Sequence, residues 1–145
     1  MKSPTPSTPR QKGFTLIELL VVLVILGMLA GLVGPRLFSN VDKSKVKTAQ
    51  TQVKMLRGSL QTYRLDVGSY PSTEQGLAAI MSAPNDTKNW QGPYLEDELP
   101  KDPWGRDYQY KSPANNLQGI GLYSLGADGK PGGDGLDADI GILEK

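Results

Sequence analysis

The chain has 145 residues, 38% hydrophobic and 21% charged, with 16 basic against 15 acidic side chains and neither cysteine nor histidine. That length holds one small domain, and the lack of cysteine excludes a lipoprotein anchor and any disulfide staple. No basic cluster is interleaved with aromatics, which argues against nucleic acid as a partner, and no nucleophile sits beside a recognisable base, which argues against an enzyme.

Met1 to Gly13 carries Lys2, Arg10 and Lys12 and no acidic residue, a positive flank that stays cytoplasmic while the following segment enters a bilayer. Without these residues the chain keeps 13 of its 16 basic groups and all 15 acidic ones, so the remainder is mildly acidic. From Leu19 to Pro35 there is no charge, and with Phe14 to Ile17 the apolar run reaches the roughly 20 residues that span a membrane once. Glu18 interrupts it near its start. A lone carboxylate at the centre of a membrane helix costs roughly 2.5–3.5 kcal/mol, so Glu18 calls for a cationic partner. A cleavable secretory signal fits poorly: its apolar region is only about 7–15 residues, and Leu29-Ala30-Gly31-Leu32 offers a poor cut site. An uncleaved signal anchor is the ordinary reading that remains.

After Pro35 the pattern turns amphipathic. Val46, Ala49, Val53, Leu56, Leu60 and Tyr63 recur at three- and four-residue intervals, one helical stripe, while Lys43, Lys45, Lys47, Lys54, Arg57 and Arg64 fall largely outside it as a solvated face. Helix from Phe14 to about Asp66 is roughly 80 Å long, too long for so small a domain, so half of it must pack on something else. Gly31, Gly34 and Pro35 mark where it is expected to bend or melt locally. Gly68-Ser69-Tyr70-Pro71 ends it, and Ser72-Thr73-Glu74-Gln75 has the spacing of a capping box opening a short helix through Leu77 to Met81. Pro84 to Pro103 reads as a packed loop anchored by Trp90, Tyr94 and Leu95, with Trp104 just beyond it. Asp107 to Lys111 and Gly121 to Leu125 alternate like two hairpin strands, which makes the class α+β.

Leu125 to Asp139 sets four carboxylates, Asp128, Asp134, Asp137 and Asp139, among five glycines. Hard oxygen ligands on a pliable backbone suit calcium; a solvated acidic loop explains the same composition equally well. Lys130 at a ligand position and the lack of a closing glutamate exclude an EF-hand, and a single copy of the Gly-Gly-Asp-Gly-Leu-Asp run argues against a calcium-binding β-solenoid.

Lys12-Gly13-Phe14-Thr15-Leu16-Ile17-Glu18 resembles the processing site of the type IV pilin-like proteins. The resemblance implies that a prepilin peptidase cuts between Gly13 and Phe14 and methylates the new amino group of Phe14. Glu18 is then the fifth residue of the mature chain, paired in a fibre with the amino group of a neighbouring subunit's first residue. Tyr70 to Leu77, Gly92-Pro93-Tyr94-Leu95, Pro100 to Gly105, Tyr108-Gln109-Tyr110, Ser124 to Gly129 and Asp137 to Gly141 are, in order, similar to the major pseudopilins of type II secretion systems.

That wider resemblance implies a pilin-like α+β fold: a long N-terminal helix on a small antiparallel sheet, with a C-terminal calcium loop in place of the disulfide of many pilins. It implies a leader at 1–13, a membrane and fibre-core helix at 14–35 and a periplasmic domain at 36–145, anchored by a single span in a bacterial inner membrane. Asp128 and Asp137 become the side-chain ligands of calcium, with carbonyls of Leu125, Lys130 and Gly133, and Asp134 as a further candidate; Asp139 instead holds a turn. The function implied is a structural, non-enzymatic subunit polymerising into a helical homopolymer, with minor pseudopilins, an assembly ATPase and an inner-membrane platform as partners. This fibre drives folded proteins through an outer-membrane channel. A type IV pilus subunit for adhesion or motility is the alternative, against which stand the cysteine-free acidic loop and Asp102-Pro103-Trp104-Gly105. A membrane-anchored calcium-binding module that does not polymerise leaves Glu18 unexplained.

Overall fold

The computed structural model describes residues 13–143, with the backbone alone described at 34–39. The chain divides into two compact units after Ser39. Helix α1 is Leu16–Val67, 52 residues. Its assignment continues through Gly31 and residues 34–35, so the local melting expected there does not occur in the isolated chain. A single proline deletes one backbone bond, and the turns on either side keep theirs.

In the first unit, Leu16–Val33 is apolar enough to cross a membrane, with a mean hydropathy of 2.9 and none of it buried within the chain. In the second, the amphipathic stripe turns inward. Ala49, Val53, Leu56, Leu60 and Tyr63 are buried and Val46 is half-buried, while Lys43, Lys47, Lys54 and Arg57 are exposed. Val53, Leu56, Leu60 and Tyr63 form one core with Leu77, Ile80, Tyr108, Ile120 and Leu122. Each fully buried aliphatic side chain there contributes about 1.5–3 kcal/mol relative to exposure. Gly68, at φ 96°, ends the helix, its N–H donating to the Arg64 carbonyl at 2.8 Å. Beyond it the Arg64 guanidinium lies over the Tyr70 ring, 5.0 Å from the centroid.

The capping box at Ser72 forms, but it does not open an α-helix. Ser72 N–H donates to Gln75 Oε1 at 2.8 Å and Gln75 N–H to Ser72 Oγ at 3.3 Å, which closes a turn. Gly76 then takes φ 60°, and only a 3-10 helix follows over Leu77–Ile80. The expected short helix is present, held to a single 3-10 turn because the positive φ breaks the register that a capping box needs to propagate an α-helix. The next loop packs as its aromatics suggest. Trp90 Nε1–H donates to the Ala79 carbonyl at 2.9 Å, Tyr94 N–H to the Ile80 carbonyl at 2.8 Å, and the Tyr94 hydroxyl to Asp66 at 2.9 Å.

Three strands form one antiparallel sheet in the order β1-β2-β3: β1 Gln109–Lys111, β2 Gly121–Ser124 and β3 Ile140–Ile142. The first two are the expected hairpin, with Tyr110 opposite Leu122; the third, pairing Ile142 with Leu122 and Ile140 with Ser124, was not anticipated. Gly141 sits opposite Tyr123 at φ 145°, where a β-carbon would meet the Leu122 carbonyl and lie 2.7 Å from Tyr123 Cα. Only glycine lets β3 come this close. The acidic segment therefore links β2 to β3, and both its ends are held by the sheet.

Candidate functional site

Gly13 and Phe14 precede α1 in non-helical, exposed backbone, and a β-carbon built on Gly13 meets nothing within 4 Å. The Gly13–Phe14 peptide is thus accessible, with Phe14 81% exposed. Glu18 lies one turn into the helix. Its Oε2 accepts from the Thr15 backbone N–H at 2.8 Å and from Thr15 Oγ1 at 3.0 Å, while Glu18 N–H donates back to Thr15 Oγ1 at 3.3 Å. This reciprocal box satisfies donors that the first helical turn leaves open, and it sets the carboxylate at the positive end of the helix dipole. The Thr-x-x-Glu spacing that signals it stands in the sequence at Thr15 and Glu18. Oε1 accepts no hydrogen bond among the described residues, which leaves one oxygen for a donor outside the chain.

The acidic loop rests on a buried polar node that sequence reasoning missed. Asp102, only 4% exposed, accepts at Oδ1 from the backbone N–H groups of Trp104 and Arg106, at 3.1 and 2.8 Å, and at Oδ2 from Ser124 Oγ at 2.6 Å. Arg106 Nε lies 3.8 Å from Asp102 Oδ2, and its Nη2 donates to the Gly126 carbonyl and, at 3.4 Å, to that of Ala127. Ser124 Oγ in turn accepts from Gly126 N–H at 3.3 Å. The node ties the loop before β1 to the end of β2 where the acidic segment starts. Burial, and after it the Asp102 carboxylate, push the neighbouring Tyr108 phenol up. The available signal was Asp102-Pro103 with an arginine at i+4, a turn-forming aspartate beside its counter-ion.

Within the segment, Ala127 N–H donates to the Leu136 carbonyl at 2.9 Å and Asp139 N–H to that of Gly132 at 3.1 Å, closing the loop at its neck and middle. Asp139 Oδ2 accepts from Gly132 N–H at 2.9 Å, and Asp128 Oδ1 from Lys130 N–H at 2.9 Å. Gly133, at φ 81°, must be glycine: its β-carbon would stand 2.5 Å from the Asp137 carbonyl oxygen. Asp128, Asp134 and Asp137 are exposed, Leu125 is half-buried, and Lys130 and Gly133 are exposed. No group of three acidic side chains is gathered among the described residues. The donor set nonetheless fits a hard cation, since every group offered is a carboxylate or a carbonyl oxygen. Asp139 Oδ1 is buried with no hydrogen-bond partner, an acceptor left open inside the loop.

Residues 36–143 match the family described as type II secretion system (T2SS), protein G, and residues 8–34 match the prokaryotic N-terminal methylation motif. The chain is 49% identical over 135 residues to a type II secretion system core protein G from Pseudomonas aeruginosa, covering 91% of this chain and 94% of that one. It is 47% identical to the core protein G of Vibrio cholerae, with 91% of each covered. The crystal structure of the major pseudopilin from the type 2 secretion system of enterohaemorrhagic Escherichia coli superposes with a TM-score of 0.61 at 36% identity, covering 72% of this chain and 87% of that one.

Proposed function

Because this chain belongs to the type II secretion system protein G family, we propose that its precursor inserts in the inner membrane, is cut between Gly13 and Phe14, and is methylated at Phe14. It is a subunit of the type II secretion pseudopilus and not of a surface pilus. The domain after the membrane helix faces the periplasm, and the assembly ATPase with its platform draws subunits from the bilayer into a helical homopolymer capped by minor pseudopilins. The role is structural, with no chemical step assigned to the chain itself.

The observation that carries the assembly mechanism is the divided use of the Glu18 carboxylate. Oε2 caps the subunit's own helix through Thr15, while Oε1, which accepts no hydrogen bond among the described residues, is free to accept from the terminal ammonium of a neighbouring Phe14. Moving Leu16–Val33 from lipid into a core of like helices changes little apolar solvation, so the charge pair sets the register. Glu18→Ala is expected to leave insertion and cleavage intact while lowering the fraction of subunits in sheared fibres on the order of a hundredfold, the cost of stranding one member of a buried pair. Glu18→Gln keeps the cap without the charge. Normal assembly of the glutamine variant would reduce Glu18 to a capping residue and end the pairing mechanism.

We further infer that Asp128 and Asp137, with carbonyls of Leu125, Lys130 and Gly133 and the nearby Asp134, hold a calcium ion, with Asp139 Oδ1 as an additional open acceptor. The ion supplies the positive charge that lets these carboxylates approach one another. The chain's own part is the frame: Arg106 and the Asp139–Gly132 bonds hold the two ends of the segment that carries the candidate ligands. At a hundred times its dissociation constant, calcium is expected to raise the melting temperature of the solubilised protein on the order of 10 °C. Asp128→Ala and Asp137→Ala are each expected to abolish that rise while melting like the parent in a chelator. A loss of stability equal with and without calcium would assign both residues to packing.

A further inference from the structure

Among the described residues the ion pairs are Lys101–Asp107 and Arg106–Asp102. Two larger sets of opposite charge therefore have no ion-pair partner among the described residues. Lys43, Lys47, Lys54 and Arg57 are spaced by four, seven and three residues, form one ridge of α1 and are all exposed. Beside this ridge an open groove of about 600 Å³ runs between Val46, Val53 and Arg57 on the helix and Gly135, Ala138 and Ile140 on the loop and sheet edge. The second set is Glu96, Asp97 and Glu98, exposed at the tip of the loop that packs Tyr94 and Leu95 on the core. This tip stands over Met55 and Ser59, which lie about 130° around the helix from the basic ridge.

We propose that the basic ridge and its groove are the docking surface for a second copy of this chain, which presents its Glu96-Asp97-Glu98 tip. Each subunit then carries both halves of the contact on different flanks. Such a contact is heterologous, and where its rotation does not close into a ring it continues as an open helical filament, the geometry a fibre requires. Charge complementarity also fixes orientation: a ridge meeting a ridge, or a tip meeting a tip, is repelled. Leu95 and Leu99 hold the tip from within by packing on the core, so little ordering is needed on contact. The inference rests on the polymer reading above and specifies which faces meet.

The test uses the full chain expressed with its secretion system. Since the parent has no cysteine, a chain carrying both Lys54→Cys and Asp97→Cys is expected to give an oxidised ladder of oligomers, and either single variant is not. The reversals K54E/R57E and E96K/E98K are each expected to cut fibre yield about tenfold, and their combination in one chain to restore it. Fibres of parent yield from the combined chain together with a ladder would establish the contact. Parent fibres accompanied by no ladder and by indifference to the reversals would overturn the docking surface and leave the polymer reading standing. Failure of E96K/E98K to affect assembly while K54E/R57E abolishes it would assign the ridge to anionic lipid and also overturn the inference. Absence of fibres from the parent would remove the polymer reading and this inference with it.

Discussion

Replacing Gly13 by leucine is expected to leave the chain uncut, with Met1 at its amino terminus, and to abolish the pseudopilus. The Gly13–Phe14 peptide is exposed and non-helical, and a β-carbon at Gly13 meets nothing within 4 Å among the described residues, so the substitution creates no clash there. The defect must then arise in the peptidase, whose site would have to admit a branched side chain where the substrate offers only hydrogen. Uncut, the chain carries its amino group thirteen residues ahead of Phe14, where it cannot reach the Oε1 atom of a neighbour's Glu18. Fibre yield should fall on the order of a hundredfold, as for loss of the carboxylate itself. Intact mass with N-terminal sequencing reads the outcome, and a product of mature size from the leucine variant would disprove the proposed cut.

Asp102→Ala is expected to be the most damaging single change in the second unit. It strands the N–H groups of Trp104 and Arg106, the Ser124 hydroxyl and the Arg106 guanidinium, all arranged around one carboxylate that is 4% exposed. Removing this buried carboxylate, which serves three hydrogen-bond donors and a half-buried arginine, costs about 3–5 kcal/mol, a large share of the about 5–15 kcal/mol that holds a domain folded. The melting transition of the solubilised chain should drop on the order of 15 °C or more. Asp102→Asn, which keeps an acceptor for the two backbone donors and loses only the charge, should fall between the alanine variant and the parent. Because Arg106 also holds the Gly126 and Ala127 carbonyls, the calcium-dependent rise in melting temperature should shrink in both variants. An alanine variant that melts with the parent would show that the node does not bear on stability.

What was legible in the chain followed from patterns that extend over many residues. The stripe from Val46 to Tyr63 predicted which face of α1 is buried because helical spacing alone determines which side chains share a side. The hairpin of β1 and β2 was legible from alternation, and Trp90, Tyr94 and Leu95 marked their loop as packed because aromatic surface of that size is seldom left in water. The short helix after the capping box was legible but its 3-10 type was not, because that depends on the Gly76 backbone angle, which residue type permits but does not dictate.

By itself, the sequence determined the apolar span with its single carboxylate, the basic flank ahead of it, the amphipathic second half of α1 and the oxygen-rich loop, since each is a local property of composition and spacing. Only the tertiary structure decided that Ile140–Ile142 becomes a third strand, because three residues carry too weak an alternation until Leu122 is there to pair with them. It also decided that Ser124, 22 positions on, meets Asp102 and Arg106 beneath the acidic segment, a distance no spacing rule bridges. The opposition of a basic ridge to an acidic tip emerges at the same level, since helix phase places the first and the packing of Tyr94 and Leu95 on the core places the second. Long-range pairing of this kind costs loop entropy that only the assembled core offsets, and a linear pattern contains no record of that balance.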